Sequence, residues 1–337
     1  MLSKAFFFHK TILVTGGTGS FGKFIVGELL KTGVSEVRIL SRDEDKQYSM
    51  QHDFRKHTNL RFIIGDIRDK ETVVKATKGV DYVFHAAALK QIPSSEYNIM
   101  EVVKTNVLGA QNVVDACLTN NVKKALAIST DKAVEPINVM GMTKALQERV
   151  FILANTKTTH KKASFSCVRY GNVIASRGSV IPLFIKQIQE GGPLTMTDEQ
   201  MTRFILTLRQ ATELVFAAIT TMIGGEVFVP KIQPIRIIDL ANVLIEELHP
   251  KNTRILTIGI RPGEKLHETL VSLPESLTLV DKKDYFILLP QIKLEGIGYV
   301  YKASVYKKTR LLEYSSDKGP FLSKKEIRAV LHSDGII

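Results

Sequence analysis

"TILVTGGTGSFGKFIVGELL", Thr11 to Leu30, starts as a run of β-branched and apolar residues, passes through closely spaced glycines and continues with helical periodicity. Gly16, Gly19 and Gly22 occupy the turn, and Phe21, Phe24, Ile25 and Leu29 recur at helical spacing until Gly33 ends the pattern. A strand, a glycine turn and an amphipathic helix in this order predict a phosphate cradle. Glycine lets the backbone turn tightly and approach a pyrophosphate, which then rests on the partial positive charge of the helix N-terminus. Any one glycine could be a plain turn, but their place between the first strand and its helix makes the motif specific. Lys23 is followed by Phe24 and not by a metal-binding Ser or Thr, which argues against a nucleoside-triphosphate loop. Thr18, Ser20 and Phe21 complete the cradle.

Working outward, further short apolar runs alternate with helix-like segments: 36–42, 60–66, 81–88, 124–130, 164–170 and 226–230. Runs apolar on both faces, alternating with helices, imply a parallel sheet covered on both sides. The fold class is therefore α/β: a doubly wound parallel sheet of the Rossmann type. After residue 173 the alternation weakens, with the helix "RQATELVFAAIT" and the strand "EVFVP" as returns to the sheet. The expected organisation is a dinucleotide-binding domain of residues 1–173 plus about 209–230. A smaller, discontinuous α/β substrate domain would take about 174–208 plus 231–337, with a cleft between the two.

The 337 residues carry 44% apolar and 24% charged side chains, which is ordinary globular usage. Cys117 and Cys167 fall inside apolar runs and read as core residues of a reducing compartment, not as a disulfide or metal framework. No run approaches the roughly 20 apolar residues of a membrane helix, so a cytoplasmic protein without membrane or metal partners is expected. The net charge of +12 is scattered without a like-charge block, which favours polyanionic small ligands over nucleic acid.

The second strand ends "RILSRDEDKQ". Enzymes using the unphosphorylated cofactor usually place an acid at this strand end to bind the ribose hydroxyls. Here Ser41 and Arg42 stand there, with Lys46 close behind, and a guanidinium suits a 2′-phosphate. NADP is therefore favoured over NAD; the alternative is that Arg42 is a solvated loop charge beside Asp43. "GDIRD" offers Asp66 and Ile67 to the adenine, and "HAAALKQ" brings Ala86, Ala87 and Ala88 against the cofactor with Lys90 near the cleft.

With these motifs, the chain resembles the extended short-chain dehydrogenase/reductase family. Within it the chain is most similar to the UDP-N-acetylglucosamine 4,6-dehydratases that invert carbon 5, enzymes of capsule and O-antigen synthesis making precursors of N-acetyl-L-fucosamine. The likeness runs through "TGGTGSFG", "SRDEDKQ", "GDIRD", "VFHAAALKQIPSSE", "KTNVLGAQNV", "STDKAVEPINVMGMTKA", "RYGNVIASRGSVIPLF", "MTRFILTL" and "RPGEKLHE", across roughly residues 11 to 270. It implies a UDP-N-acetylglucosamine substrate and a homo-oligomer, a hexamer. It also addresses position 140. Many relatives in the wider family place a tyrosine four residues before the helix lysine, here Lys144, to take a proton from the sugar. This chain has Met140, as the inverting subgroup does, and a thioether takes no proton at any useful pH.

By resemblance, Asp131 protonates the departing 6-hydroxyl and Lys132 removes the carbon-5 proton, which requires a protonated Asp and a neutral Lys near pH 7. The alternative is a structural salt bridge between neighbours. Thr130 would bond the 4-hydroxyl, whose proton would pass to Lys132 or Asp131. Lys144 would hold the nicotinamide ribose, unless it is a surface helix lysine; Met140 would shape an apolar wall, or simply pack in the core. Tyr170 and Val173 would flank the nicotinamide, and Asn172 would bind the diphosphate or sugar. Ser179, Val180 and Pro182 would line the uridine side. Arg203 and Arg261 are diphosphate candidates, with Glu264 beside them, although a surface ion pair with Asp198 or Glu264 would equally explain each arginine. His85 reads as a hydrogen-bonded core residue. Two rivals remain. A UDP-sugar 4-epimerase of the same fold is one, and Met140 and the Asp131–Lys132 pair count against it. A non-catalytic NADP-binding redox sensor is the other; it would need neither that pair nor "RGSVIPLF".

Overall fold

The computed structural model describes residues 2–157, 163–174, 178–248, 253–292, 294, 307–308 and 313–337. The apolar runs form β1 (Thr11–Thr15), β2 (Glu36–Ser41), β3 (Leu60–Ile64), β4 (Tyr82–His85), β5 (Lys124–Thr130) and β6 (Ser164–Tyr170). They are followed by β7 (Asn172–Val173), β8 (Leu194–Met196), β9 (Thr202–Leu206), β10 (Val227–Pro230), β11 (Pro234–Arg236) and β12 (Ile255–Thr257). The chain closes with β13 (Thr269–Val271), β14 (Leu279–Asp281), β15 (Tyr285–Leu288), β16 (Lys307–Lys308) and β17 (Tyr314–Ser315).

Among the described residues, ten strands form one sheet in the order β16-β14-β15-β10-β6-β5-β4-β1-β2-β3. From β3 across to β10 every neighbour is parallel. Side chains alternate between the two faces with the period of two that a strand imposes. Leu13, Val83, Ala125 and Ala127 enter one apolar cluster; Ile12, Val14, Tyr82, Phe84 and Leu126 enter the other. Both faces are dry, as a parallel sheet flanked by helices requires. The helix Ser20–Leu30 buries Ile25, Val26 and Leu29 completely, each contributing roughly 1.5–3 kcal/mol. Strand order reverses between β1 and β4, and in open α/β sheets the crevice at that reversal is where ligands bind.

One expectation fails here. The whole of 231–337 was assigned to the smaller unit, yet β14 and β15 continue the large sheet as an antiparallel hairpin against β10. The cause is an open edge: β10 would otherwise expose unpaired backbone groups, and "LVDKKDYFIL" covers them while sinking Phe286 and Leu288 into the core. The smaller unit comprises the sheet β11-β9-β7 and the pair β12-β8. The helices Val180–Gln189, Ile237–Leu248 and Lys324–Ser333 pack with them around Ile181, Phe184, Leu240, Leu244 and Leu331. Cys117 and Cys167 are free and fully buried. No helix among the described residues is long and apolar enough to cross a membrane.

Candidate active site

A cavity of about 750 Å³ lies over the C-terminal ends of β1, β2, β4, β5 and β6. Thr195, Met196, Met201, Arg203 and Ile237 of the smaller unit close it from the far side. That volume sits near the upper end of the range for small-molecule sites.

At one end is the glycine cradle. Gly16 has φ +68, a left-handed conformation that an L side chain rarely adopts, and a Cβ there would stand 2.7 Å from the Ala87 nitrogen. A Cβ on Gly22 would come within 2.4 Å of the Gly16 carbonyl oxygen. The helix that follows has Gly19 as its N-cap, and Gly19, Ser20, Phe21 and Gly22 bring its N-terminus to the cavity wall. Bare backbone at a helix N-terminus fits the pyrophosphate of a dinucleotide.

Beyond the cradle, Ser41, Arg42, Lys46, Asp66 and Ile67 line the cavity. Arg42 is half exposed and 3.5 Å from Asp66, which Arg68 also holds at 2.7 Å. Burial pushes the Asp66 carboxyl upward, but Arg68 and Arg42 together hold it below the usual range. Lys46 pairs with Asp43. This end therefore carries Arg42 with only part of its charge neutralised.

At the other end, Asp131, Lys132 and Ala133 form a tight turn directly after β5. Lys132 Nζ donates to Asp131 Oδ1 at 3.0 Å and lies 3.1 Å from Glu268 Oε1 and 3.4 Å from Asn172 Oδ1. The Thr130 hydroxyl donates to the same Asp131 oxygen at 2.8 Å. Asp131 is 0% and Glu268 2% exposed, and the second oxygen of each carboxylate finds no hydrogen-bond partner among the described residues. The expectation of a neutral lysine fails in the unliganded protein. Burial lowers the affinity of Lys132 for its proton, but Asp131 and Glu268 outweigh burial and raise it above the ordinary lysine value.

The helix Val139–Ala154 supplies Met140 and Lys144. Asn138 caps it by accepting from the Gly141 nitrogen at 2.7 Å. A Cβ on Gly141 would lie 2.2 Å from the Lys132 carbonyl oxygen, so the helix rests on the Lys132 turn by backbone alone. Lys144 is not the surface lysine of the simpler reading. It is 6% exposed, bonded to the Ile128 carbonyl and, at 2.8 Å, to Gln147 Oε1. Burial lowers its pKa to about 8. Met140 is 4% exposed and forms part of the cavity wall, so it packs and shapes at once. Tyr170 also reaches the wall, but burial pushes its phenol far above the usual range, so it offers no substitute base for the tyrosine absent at position 140.

The cavity thus gathers the residues read for the cofactor: Gly16, Thr18, Gly19, Ser20, Phe21, Gly22, Ser41, Arg42, Lys46, Asp66, Ile67, Ala86, Ala87, Ala88, Lys144, Tyr170, Asn172 and Val173. It also gathers Thr130, Lys132, Met140, Lys90, Ser179, Val180, Arg203, Arg261 and Glu264. Two residues do not reach its wall. Asp131 is sealed behind Thr130 and Lys132. Pro182 points away, because Val180, Leu183 and Phe184 are the face of its helix that meets the cavity. Arg203 forms no ion pair among the described residues; carbonyls of Thr202, Leu266 and Lys265 hold its guanidinium at 2.7, 3.0 and 2.8 Å. Arg261 does lie 3.3 Å from Glu264. His85 is a core residue, bonded to Thr15 Oγ1 at 2.8 Å and stacked on Phe151. Glu268 was missed. Its place at the end of "RPGEKLHE" gave no sign that it would meet Lys132 across the cleft.

Residues 12–290 match the model of the family described as polysaccharide biosynthesis protein. The inverting UDP-N-acetylglucosamine 4,6-dehydratase of Campylobacter jejuni (strain 81-176) is 43% identical over 97% of this chain and 98% of that protein. A protein named UDP-glucose 4-epimerase from Rickettsia conorii is 42% identical over 96% of each chain. The X-ray structure of Pen from Bacillus thuringiensis superposes with a TM-score of 0.92 at 39% identity, covering 98% of this chain and 99% of that one.

Proposed function

The chain belongs to the polysaccharide biosynthesis protein family, and from that premise we propose that it is an NADP-dependent UDP-N-acetylglucosamine 4,6-dehydratase that inverts carbon 5. The observation that carries this reading is the buried cluster of Thr130, Asp131 and Lys132 at the end of β5, beside the dinucleotide cradle. An epimerase of this fold has no use for acid–base groups aimed at carbons 5 and 6. The epimerase names among the relatives therefore weigh less than this cluster, combined with a methionine where a phenolic base would stand.

A nicotinamide bound at the cradle supplies oxidation at carbon 4 and reduction at carbon 6. The chain's own residues handle the protons. Thr130 touches the 4-hydroxyl and passes the released proton to Asp131 through its 2.8 Å hydrogen bond. With a ketone at carbon 4, the carbon-5 hydrogen is acidic and Lys132 removes it. The proton stored on Asp131 leaves through Thr130 to the 6-hydroxyl, which departs as water. A proton from solvent then reaches carbon 5 on the opposite face, and one proton is released to solvent in exchange for the one Lys132 took. Two protons leave the sugar and two return, so the cluster ends as it began. Arg203 and Arg261 bind the diphosphate, Asn172 and Lys90 the sugar, and Ser179 and Val180 the uridine side. Arg42 and Lys46 receive the 2′-phosphate. The product feeds surface polysaccharide precursors of the N-acetyl-L-fucosamine type in the cytoplasm. The assembly is a homo-oligomer, a hexamer by resemblance; exposed Ile99, Met100, Leu108, Met142 and Leu146 on neighbouring helices offer an apolar face for self-association.

The test is incubation with UDP-N-acetylglucosamine in deuterated water, followed by NMR. A 6-deoxy-4-keto sugar of inverted configuration with deuterium at carbon 5 is the expected product. The galacto isomer without exchange would establish the epimerase instead, and an unchanged sugar the sensor.

A further inference from the structure

The sequence offered two groups for the proton chemistry, but three ionisable side chains meet behind the cleft. Lys132 lies between Asp131 Oδ1 at 3.0 Å and Glu268 Oε1 at 3.1 Å, all three largely or wholly removed from solvent. Two carboxylates face one ammonium in this group, within the field of two further cations. Arg203 and Lys265 are the cations nearest it. Arg203 is tied to three carbonyls, and Lys265 Nζ donates to the Val134 carbonyl at 2.7 Å. Glu268 reaches the cavity wall, whereas Asp131 does not, and Glu268 Oε2 is buried without a partner among the described residues. A carboxylate buried with one oxygen unbonded is costly. No helix cap or turn uses it, so its placement asks for a chemical reason.

We propose that Glu268 is the proton acceptor that converts Lys132 from ammonium to amine, so that the carbon-5 base is the Lys132–Glu268 pair and not Lys132 alone. The inference rests on the dehydratase reading above. Asp131 and Glu268 together raise the affinity of Lys132 for its proton, which opposes its use as a base. Oxidation of the 4-hydroxyl delivers one proton to Asp131 and removes its half of the electrostatic hold. The remaining Lys132–Glu268 ion pair is desolvated, and a desolvated pair is readily neutralised by moving one proton across its 3.1 Å contact. The Nζ–H bond breaks and its proton joins Glu268, leaving an amine lone pair. That lone pair takes the carbon-5 proton, while the electrons of the C–H bond form the enolate that expels the 6-hydroxyl. Carbon 5 takes its new proton from solvent on the opposite face, Lys132 keeps the abstracted one as an ammonium, and Glu268 gives its proton up to solvent, which restores the pair. No atom or electron is left over. Glu268 acts through Lys132 and is therefore a positioning and proton-holding residue for it.

Glu268→Gln keeps the shape and removes the acceptor. In single-turnover experiments with the cofactor-loaded protein and UDP-N-acetylglucosamine, we expect carbon-4 oxidation, read as absorbance of reduced nicotinamide, to persist. Water loss and deuterium entry at carbon 5 should fall about 100-fold or more, the usual scale for losing acid–base assistance. KM should stay within about threefold, and substrate deuterated at carbon 5 should show an enlarged isotope effect. Glu268→Asp, which keeps the acceptor at greater distance, should fall between the two and serves if the glutamine variant does not fold. Elimination by either variant at wild-type speed, or equal loss of oxidation and elimination, overturns the proposal. Lys132→Met separates the levels. If it stops water loss while Glu268→Gln does not, only the role of Glu268 fails; if wild-type protein itself gives no dehydrated product, the underlying reading fails.

Discussion

Replacing Lys144 by methionine should change how stability depends on pH, by an amount set by burial. The ammonium is 6% exposed in the helix that backs the cleft, and burial lowers its pKa from the ordinary 10.5 to about 8. In the unfolded chain the group keeps the ordinary value. Between pH 8 and 10.5 the unfolded state therefore binds more protons than the folded one, and stability rises with pH across that window. At roughly 1.4 kcal/mol per pH unit, the full rise is about 3 kcal/mol. Below pH 8 both states are protonated and above 10.5 both are neutral, so the contribution is flat outside the window. Lys144→Met has no such group. Urea denaturation of both cofactor-free proteins at pH 7, 8, 9, 10 and 11 isolates the effect, because every other titrating group cancels in the difference. The wild type should gain about 3 kcal/mol over the variant from the bottom of this series to the top. Curves that stay parallel within about 1 kcal/mol would mean that Lys144 is solvated, and the burial assigned to it would be wrong.

Three further outcomes are expected. Arg42→Ala should weaken NADP binding about 10- to 100-fold by calorimetry, the value of a charge-assisted hydrogen bond, and leave NAD within about threefold; equal loss for both cofactors would remove Arg42 from the 2′-phosphate. Met140→Tyr should lower turnover, since a bulkier ring enters a wall that is only 4% exposed; a rise in turnover with unchanged product would end the shaping role. Arg169 bonds Glu148 and Glu275 in the core at 2.7 and 2.8 Å, so Arg169→Ala strands two carboxylates and should cost about 3–5 kcal/mol in chemical denaturation. A loss under about 1 kcal/mol would show that the network contributes nothing.

The parallel strands were legible because each places apolar residues on both faces, as β1, β4, β5 and β6 do. The cradle was legible because backbone crowding there admits only glycine, which leaves its mark directly on the sequence. The hairpin β14–β15 was not, since its role is to cover an edge and edges have no sequence signature until the neighbouring strand is known. Asp131 and Lys132 were visible as neighbours, but their burial and ionisation depend on what lies opposite. Glu268 stands 136 positions beyond Lys132 and arrives through the register of a different segment. Proton affinity follows from such encounters, which is why the sequence points to a neutral lysine while Asp131 and Glu268 raise its hold on its proton. Pro182 misses the cavity because Val180 begins a helix of which only one face turns inward.

The bare contact of Gly141 with the Lys132 carbonyl has a consequence for how this enzyme tolerates change. Main chain on main chain leaves no compressible layer, so the backbone of the Lys132 turn and that of the helix carrying Lys144 keep a set spacing. Position 140 hangs beside that strut without being part of it. A substitution there reshapes the wall of the cavity and leaves the backbone spacing as it is.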